Sequence, residues 1–236
     1  MKRCSWLQFL ITVLLTLTFD SRLSAQATEI TNPPPKCKID GVFGDWKGYQ
    51  TGWNETGLDW SKVKMTPGFD GIDLKEFYYD NDDTYLYLFI KCKPTVQERY
   101  DRTHSTGDLG FLYIDTDMNT NTGAADRDAY GSSTISGAEI QIYLPTGFSI
   151  TGGTKSGCHL SYDMERWDAS SKLFDQQIRK ADSRDANPLV AHGKDGVEIA
   201  LLLSDLGVRK GSKFSFACWE SMALRDYVNR TTIKIE

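Results

Sequence analysis

Tyr85-Leu-Tyr-Leu-Phe-Ile90 is a run of six residues in which every position is apolar or aromatic. It is too short for a helix and rich in β-formers, and the turn-rich Asp80-Asn-Asp-Asp83 precedes it. Such a run reads as a strand covered on both faces, hence central in its sheet. Working outward, alternating patterns mark further strands at Leu74 to Tyr79, Leu109 to Asp115, Ala138 to Leu144, Cys158 to Met164, Val197 to Leu202, Lys213 to Trp219 and Thr231 to Ile235. No window holds a long helical period, and only two short helices are predicted. One lies near Val96 to Arg102, the other at Ser204 to Leu206, capped by Ser204 and stopped by Gly207. The ladder predicts an all-β fold, an antiparallel two-sheet β-sandwich of immunoglobulin-like or jelly-roll-like form. Gly41 to Gly71 lacks a regular period and reads as a long ordered loop.

The N-terminus has Lys2 and Arg3, an apolar run from Trp6 to Phe19, and small residues at Ser24, Ala25 and Ala27, the pattern of a secretory signal peptide. The expected organisation is therefore a signal peptide over 1–25, a Pro-rich lead-in over 26–37 and one β-sandwich domain over 38–236. The mature protein is expected to be secreted or periplasmic, without a membrane span. Losing Lys2, Arg3, Arg22 and Asp20 takes the formal charge from −5 to −7, which makes nucleic acid a poor partner. Four cysteines remain, Cys37, Cys92, Cys158 and Cys218. In an oxidising compartment they predict two disulfides, and of the three connectivities chain order favours Cys37 with Cys92 and Cys158 with Cys218.

Four segments occur in a telling order: Ile39-Asp-Gly41 with Asp45-Trp46; Asp80-Asn-Asp-Asp83 with Tyr85-Leu-Tyr87; Tyr113-Ile-Asp-Thr-Asp117 with Asn119 and Thr122-Gly123; and Gly196-Val-Glu-Ile-Ala200 with Leu206-Gly207. Together they resemble carbohydrate-binding module family 9 and its DOMON-like relatives, over roughly residues 38 to 220. The resemblance implies a secreted β-sandwich, bound calcium in some members and sugar binding through aromatic side chains, and it does not imply catalysis. Relatives in that superfamily bind haem or serve structurally. The resemblance also makes Trp46 a packing residue closing one end of the sandwich.

Candidate sites follow. Trp53 and Trp60, with Tyr49 and Asn54, lie on the irregular segment, where flat rings can stack on sugar faces while Asn54 takes hydroxyls; equally, the rings can pack as a small core beneath the loop. Trp167 and Trp219 stand in strand contexts and are expected to be buried. Asp115, Asp117, Asn119 and Asn121 alternate at a strand end, a spacing that can turn hard oxygens toward one calcium ion or cap the turn's own backbone. For catalysis, His104, His159 and His192 lie in unrelated contexts, and Glu139 with Glu198 is a carboxylate pair expected on neighbouring strands. For haem, Met164 with His159, or Met222, supplies axial-ligand types. The sequence thus predicts a non-catalytic carbohydrate-binding protein with a structural calcium; the alternatives are a structural or adhesive sandwich and a haem-binding domain.

Overall fold

The computed structural model describes residues 36–46, 50–54, 73–93, 95–103, 108–124, 136–151, 154–220 and 226–236. The segment read as a signal peptide lies outside the described residues, as do Tyr49, Trp60, His104 and Met222. The strands are β1 (Gln50–Asn54), β2 (Asp73–Asn81), β3 (Tyr85–Lys93), β4 (Asp108–Asp115), β5 (Ile140–Thr151), β6 (Thr154–Asp168), β7 (Leu173–Asp182), β8 (Val190–His192), β9 (Gly196–Leu202), β10 (Lys213–Glu220) and β11 (Asp226–Lys234). Two helices, α1 (Val96–Thr103) and α2 (Leu203–Leu206), interrupt them. A five-stranded sheet in the order β1-β2-β3-β9-β8 faces a six-stranded sheet in the order β11-β10-β4-β5-β6-β7, and every pairing is antiparallel. The predicted all-β sandwich is the architecture observed.

β3 shows why its sequence is apolar throughout. Leu86, Leu88, Ile90 and Cys92 point into the core between the sheets, where they meet Leu112, Ile114, Ile142, Phe214 and Phe216. Tyr85, Tyr87 and Phe89 point the other way and are also buried, under a cover made by Cys37, Ile39, Phe43 and Trp46. The N-terminal strap, residues 36–46, therefore roofs the outer face of the five-stranded sheet. Trp46 is buried as expected, on this outer face. At Gly41 the strap passes so close to β8 that a Cβ there would sit 2.3 Å from the carbonyl carbon of His192. Its φ of +76° also favours glycine.

Several expectations are corrected. β1 lies within the stretch read as a loop: four of its five residues pair with β2, with a bulge between Thr51 and Trp53 that hid the alternation. β7 escaped notice because Leu173-Phe-Asp-Gln-Gln-Ile-Arg-Lys180 is mostly exposed and polar, as befits a strand at a sheet edge. Gly207 ends α2 in the left-handed conformation, φ +70°, but Leu202 rather than Ser204 occupies the N-cap position. Among the described residues no disulfide forms. The favoured pairs fail on topology: Cys37 lies in the strap on the outer face of the five-stranded sheet, while Cys92 faces the core on the other side of β3. Cys158 on β6 and Cys218 on β10 are three strand positions apart, about 14 Å, where a disulfide spans about 4.4–6.8 Å between Cα atoms.

Candidate metal centre

β4 ends in Asp115, whose side chain is 1% exposed despite its charge. Beyond it the chain makes a tight turn in which Met118 takes a left-handed φ of +58° and Thr122 N–H donates to the Asn119 carbonyl at 3.0 Å. The turn is clipped to the chain entering β5: Ala124 N–H donates to the Ala138 carbonyl at 2.8 Å and Gly137 N–H to the Ala124 carbonyl at 2.7 Å. Gly137, φ +85°, lets that chain pass: a Cβ would meet Asp115 Oδ2 at 3.1 Å and the Thr120 Cα at 2.8 Å. The register then delivers Glu139 beside Asp115, because Glu139 N–H donates to the Ile114 carbonyl at 3.0 Å.

Asp115, Asp117 and Glu139 each present a carboxylate oxygen within 4.8 Å of the others. Oxygens this close can gather round one ion at about 2.3–2.6 Å after a small inward shift, and an all-carboxylate set suits hard cations such as calcium or magnesium. Glu139 supplies the sharpest sign of an absent partner. Its Oε2 accepts from Thr116 N–H at 2.8 Å and Thr116 Oγ at 3.1 Å. Its Oε1 is buried with no hydrogen-bond partner among the described residues. Burial pushes the Glu139 carboxyl above its ordinary range and the Asp117 charge adds to this, against the opposing donors of Thr116 and Thr122. The residues therefore fit a divalent cation.

Of the residues expected from sequence, Asp115 and Asp117 come together. Asn119 lies in the same turn, but its Oδ1 accepts both Asn121 N–H at 3.1 Å and Asn121 Nδ2–H at 3.2 Å, an arrangement that caps the backbone. Asn121 is exposed. Glu139, missed as a ligand, comes from the neighbouring strand; the signal available was an acid at the start of the strand following Asp115-Thr-Asp117.

The aromatic residues are placed differently. Tyr49 and Trp60 fall outside the described residues, and for Trp53 and Asn54 only the backbone is described. Trp53 pairs with Phe77 and Asn54 with Glu76 on β2, so Trp53 stands in a strand, and the reasoning that left it on a loop fails. Trp167 is half-buried rather than buried, and the Trp219 side chain is outside the described residues.

The other pairings dissolve. Glu139 enters β5 of one sheet while Glu198 sits on β9 of the other, so they are not carboxylates on neighbouring strands. Glu198 is instead a structural anchor, wholly buried. Its Oε2 accepts from Asp40 N–H at 2.7 Å and Gly41 N–H at 2.5 Å, and its Oε1 from Trp46 Nε1–H at 2.9 Å. Burial raises its pKa to about 7, against those donors. Met164 faces the inter-sheet core, and His159, an odd number of residues away on the same strand, projects from the opposite face, so the two cannot bracket one haem. Among the described residues no helix is long and apolar enough to cross a membrane. The chain matches no family model, no curated protein and no solved structure.

Proposed function

We propose that this chain is an exported, non-catalytic carbohydrate-binding β-sandwich in which Asp115, Asp117 and Glu139 hold a structural calcium ion. The observation that carries the metal half is the buried Glu139 Oε1, without a partner among the described residues, inside a triad of carboxylates. Three like charges brought this close repel unless a cation lies among them. The ion would fasten the β4 turn to the entry of β5, and so fix the ends of two adjacent strands. The sugar half is supported by the four ordered segments resembling carbohydrate-binding module family 9, on an antiparallel sandwich of the kind that resemblance implies.

Two measurements test it. Calcium added to chelator-treated protein at about 100 times its dissociation constant stabilises by about 2.7 kcal/mol, which in a domain of this size raises Tm by roughly 5–10 °C. An unchanged Tm together with no heat of calcium binding overturns the metal half. A glycan array probed in calcium tests the sugar half, and a blank array overturns it.

A further inference from the structure

A sheet with one face on a core normally shows polar side chains on the other. The six-stranded sheet departs from this. Phe111, Tyr113, Tyr143, Trp167 and Phe174 alternate with core residues, or pair across strands with residues that do, and line its outer face. Their rings form a connected series, with centroids 5.0 Å apart for Phe111 and Tyr143, 6.0 Å for Phe111 and Tyr113, 5.9 Å for Tyr113 and Phe174, and 5.2 Å for Trp167 and Phe174.

The 5.9 Å between Tyr113 and Phe174 reports the shape of this face. Their strands, β4 and β7, are three positions apart, about 14 Å in a flat sheet. The tip of the β6–β7 hairpin must therefore bend over the face, and two register shifts, at Met164/Glu165 and Arg166/Trp167, supply the bend. Beneath it Tyr113 is buried with Ala124 and Ala138, and Phe111, Trp167 and Phe174 pack against them, which accounts for these four rings as packing. Tyr143, stacked on Phe111, stays half-buried on the floor.

Polar groups border that floor. Tyr143 lies opposite Asp163, Asp163 opposite Lys180, and Ser161 opposite Asp182. Ser161, Asp163, Lys180, Asp182 and Asp185 line a cavity of about 290 Å³, near the lower end of the range for small-ligand sites. Lys180 Nζ stands 3.0 Å from Asp163 and Arg184 Nη2 2.7 Å from Asp182, while Asp185 Oδ2 accepts from Asp182 N–H at 2.9 Å. The carboxylates keep acceptor capacity beyond these bonds.

We infer that this cupped face is a glycan subsite, which takes one sugar ring into the polar cavity and stacks the next on Tyr143. The inference rests on the carbohydrate-binding reading above and adds where the sugar binds and of which class it is. Charge selects the class: three carboxylates against Lys180 in the lining and Arg184 paired to Asp182 beside it leave the site net negative, which disfavours uronates, sulfated glycans and nucleic acid, whereas a neutral sugar offers hydroxyls to paired charges and a C–H face to a ring.

The test uses isothermal titration of the full mature chain, in calcium, with cello-, xylo-, manno- and chitohexaose, and with oligogalacturonate and heparin fragments as anionic probes. The expected result is binding of at least one neutral hexaose and of neither anion. Tyr143→Ala and Lys180→Ala should each weaken that binding about tenfold or more, and exposed Lys180 should do so without lowering Tm. If Tyr143→Ala fails to fold, Lys180→Ala and Asp163→Asn carry the test. A neutral hexaose bound equally well by all the folded variants overturns this subsite and leaves the carbohydrate reading standing, with the site elsewhere. Preferential binding of an anion overturns the charge argument. No binding of any probe, with a blank glycan array, overturns both.

Discussion

Glu139 and Glu198 are both acids held above their ordinary pKa by burial, yet they call for opposite experiments. Glu139 has one oxygen bonded and one without a partner among the described residues. Glu139→Gln keeps an acceptor for Thr116, removes one of three crowded charges and offers an amide to the remaining carboxylates. In the absence of calcium the variant should be as stable as the parent or more so, by about 0.5–1 kcal/mol. Calcium should no longer raise its Tm, and the loss should appear as at least about a tenfold weaker affinity by titration. Glu198 has donors on both oxygens. Glu198→Gln turns an amide N–H₂ toward either Trp46 Nε1–H or two backbone N–H groups, and should cost about 1–3 kcal/mol in denaturant melts. Its raised pKa also fixes a sign. The folded state binds the proton more tightly than the unfolded chain, whose carboxyl titrates near the ordinary 4.5, so this group's contribution to stability falls as pH rises from about 4.5 to 7 and is flat above that. Glu198→Gln should flatten that part of the stability profile.

At the scale of elements, the strap over the five-stranded sheet bears most directly on stability. It is joined to the sheet by Glu198, by Phe43 N–H donating to Asp195 at 3.3 Å and by Lys36 N–H donating to Tyr87 OH at 2.6 Å. Tyr87 OH in turn donates to Asp82, which also caps Thr84 N–H and Tyr85 N–H at 2.7 Å each. Three of the four sequence segments that carried the resemblance thus meet in one roof and its supports. Their residues are legible because the roof needs particular types: a glycine for close approach, an indole with one donor, a carboxylate to receive it. Trp46→Ala should cost about 3–5 kcal/mol, read as a lower denaturation midpoint, and should expose Tyr85 and Phe89 to a hydrophobic dye. What sequence failed to show, β1, β7 and the three-residue β8, are strands at sheet edges. Bulges broke the alternation of β1, and exposure on β7 left polar residues where a core strand carries apolar ones. The metal turn was half legible for a related reason. Asp115 and Asp117 are close in sequence, whereas Glu139 reaches them only through the pairing of β4 with β5.

For the whole molecule, one feature of the topology has a consequence in time. β4 to β7 form a run of consecutive hairpins, and β2 and β3 another. Neither group completes a sheet alone. β9 must come back to β3, where Leu88 meets Ile199, and β10 to β4, where Ile114 meets Phe216. Both closures join residues about a hundred positions apart, and both wait on the last fifth of the chain. Loop-closure entropy must be met before these contacts repay it, which places folding among the slow, high-contact-order cases, on a scale of milliseconds to seconds. A chain ending after Val208 retains β9 but lacks β10 and β11, so the core loses Phe214, Phe216 and Ile233 together. It should give no cooperative melt. A chain still emerging from a ribosome or a translocation channel therefore stays unfolded and threadable until nearly all of it has passed, and it then closes both sheets in a single late step.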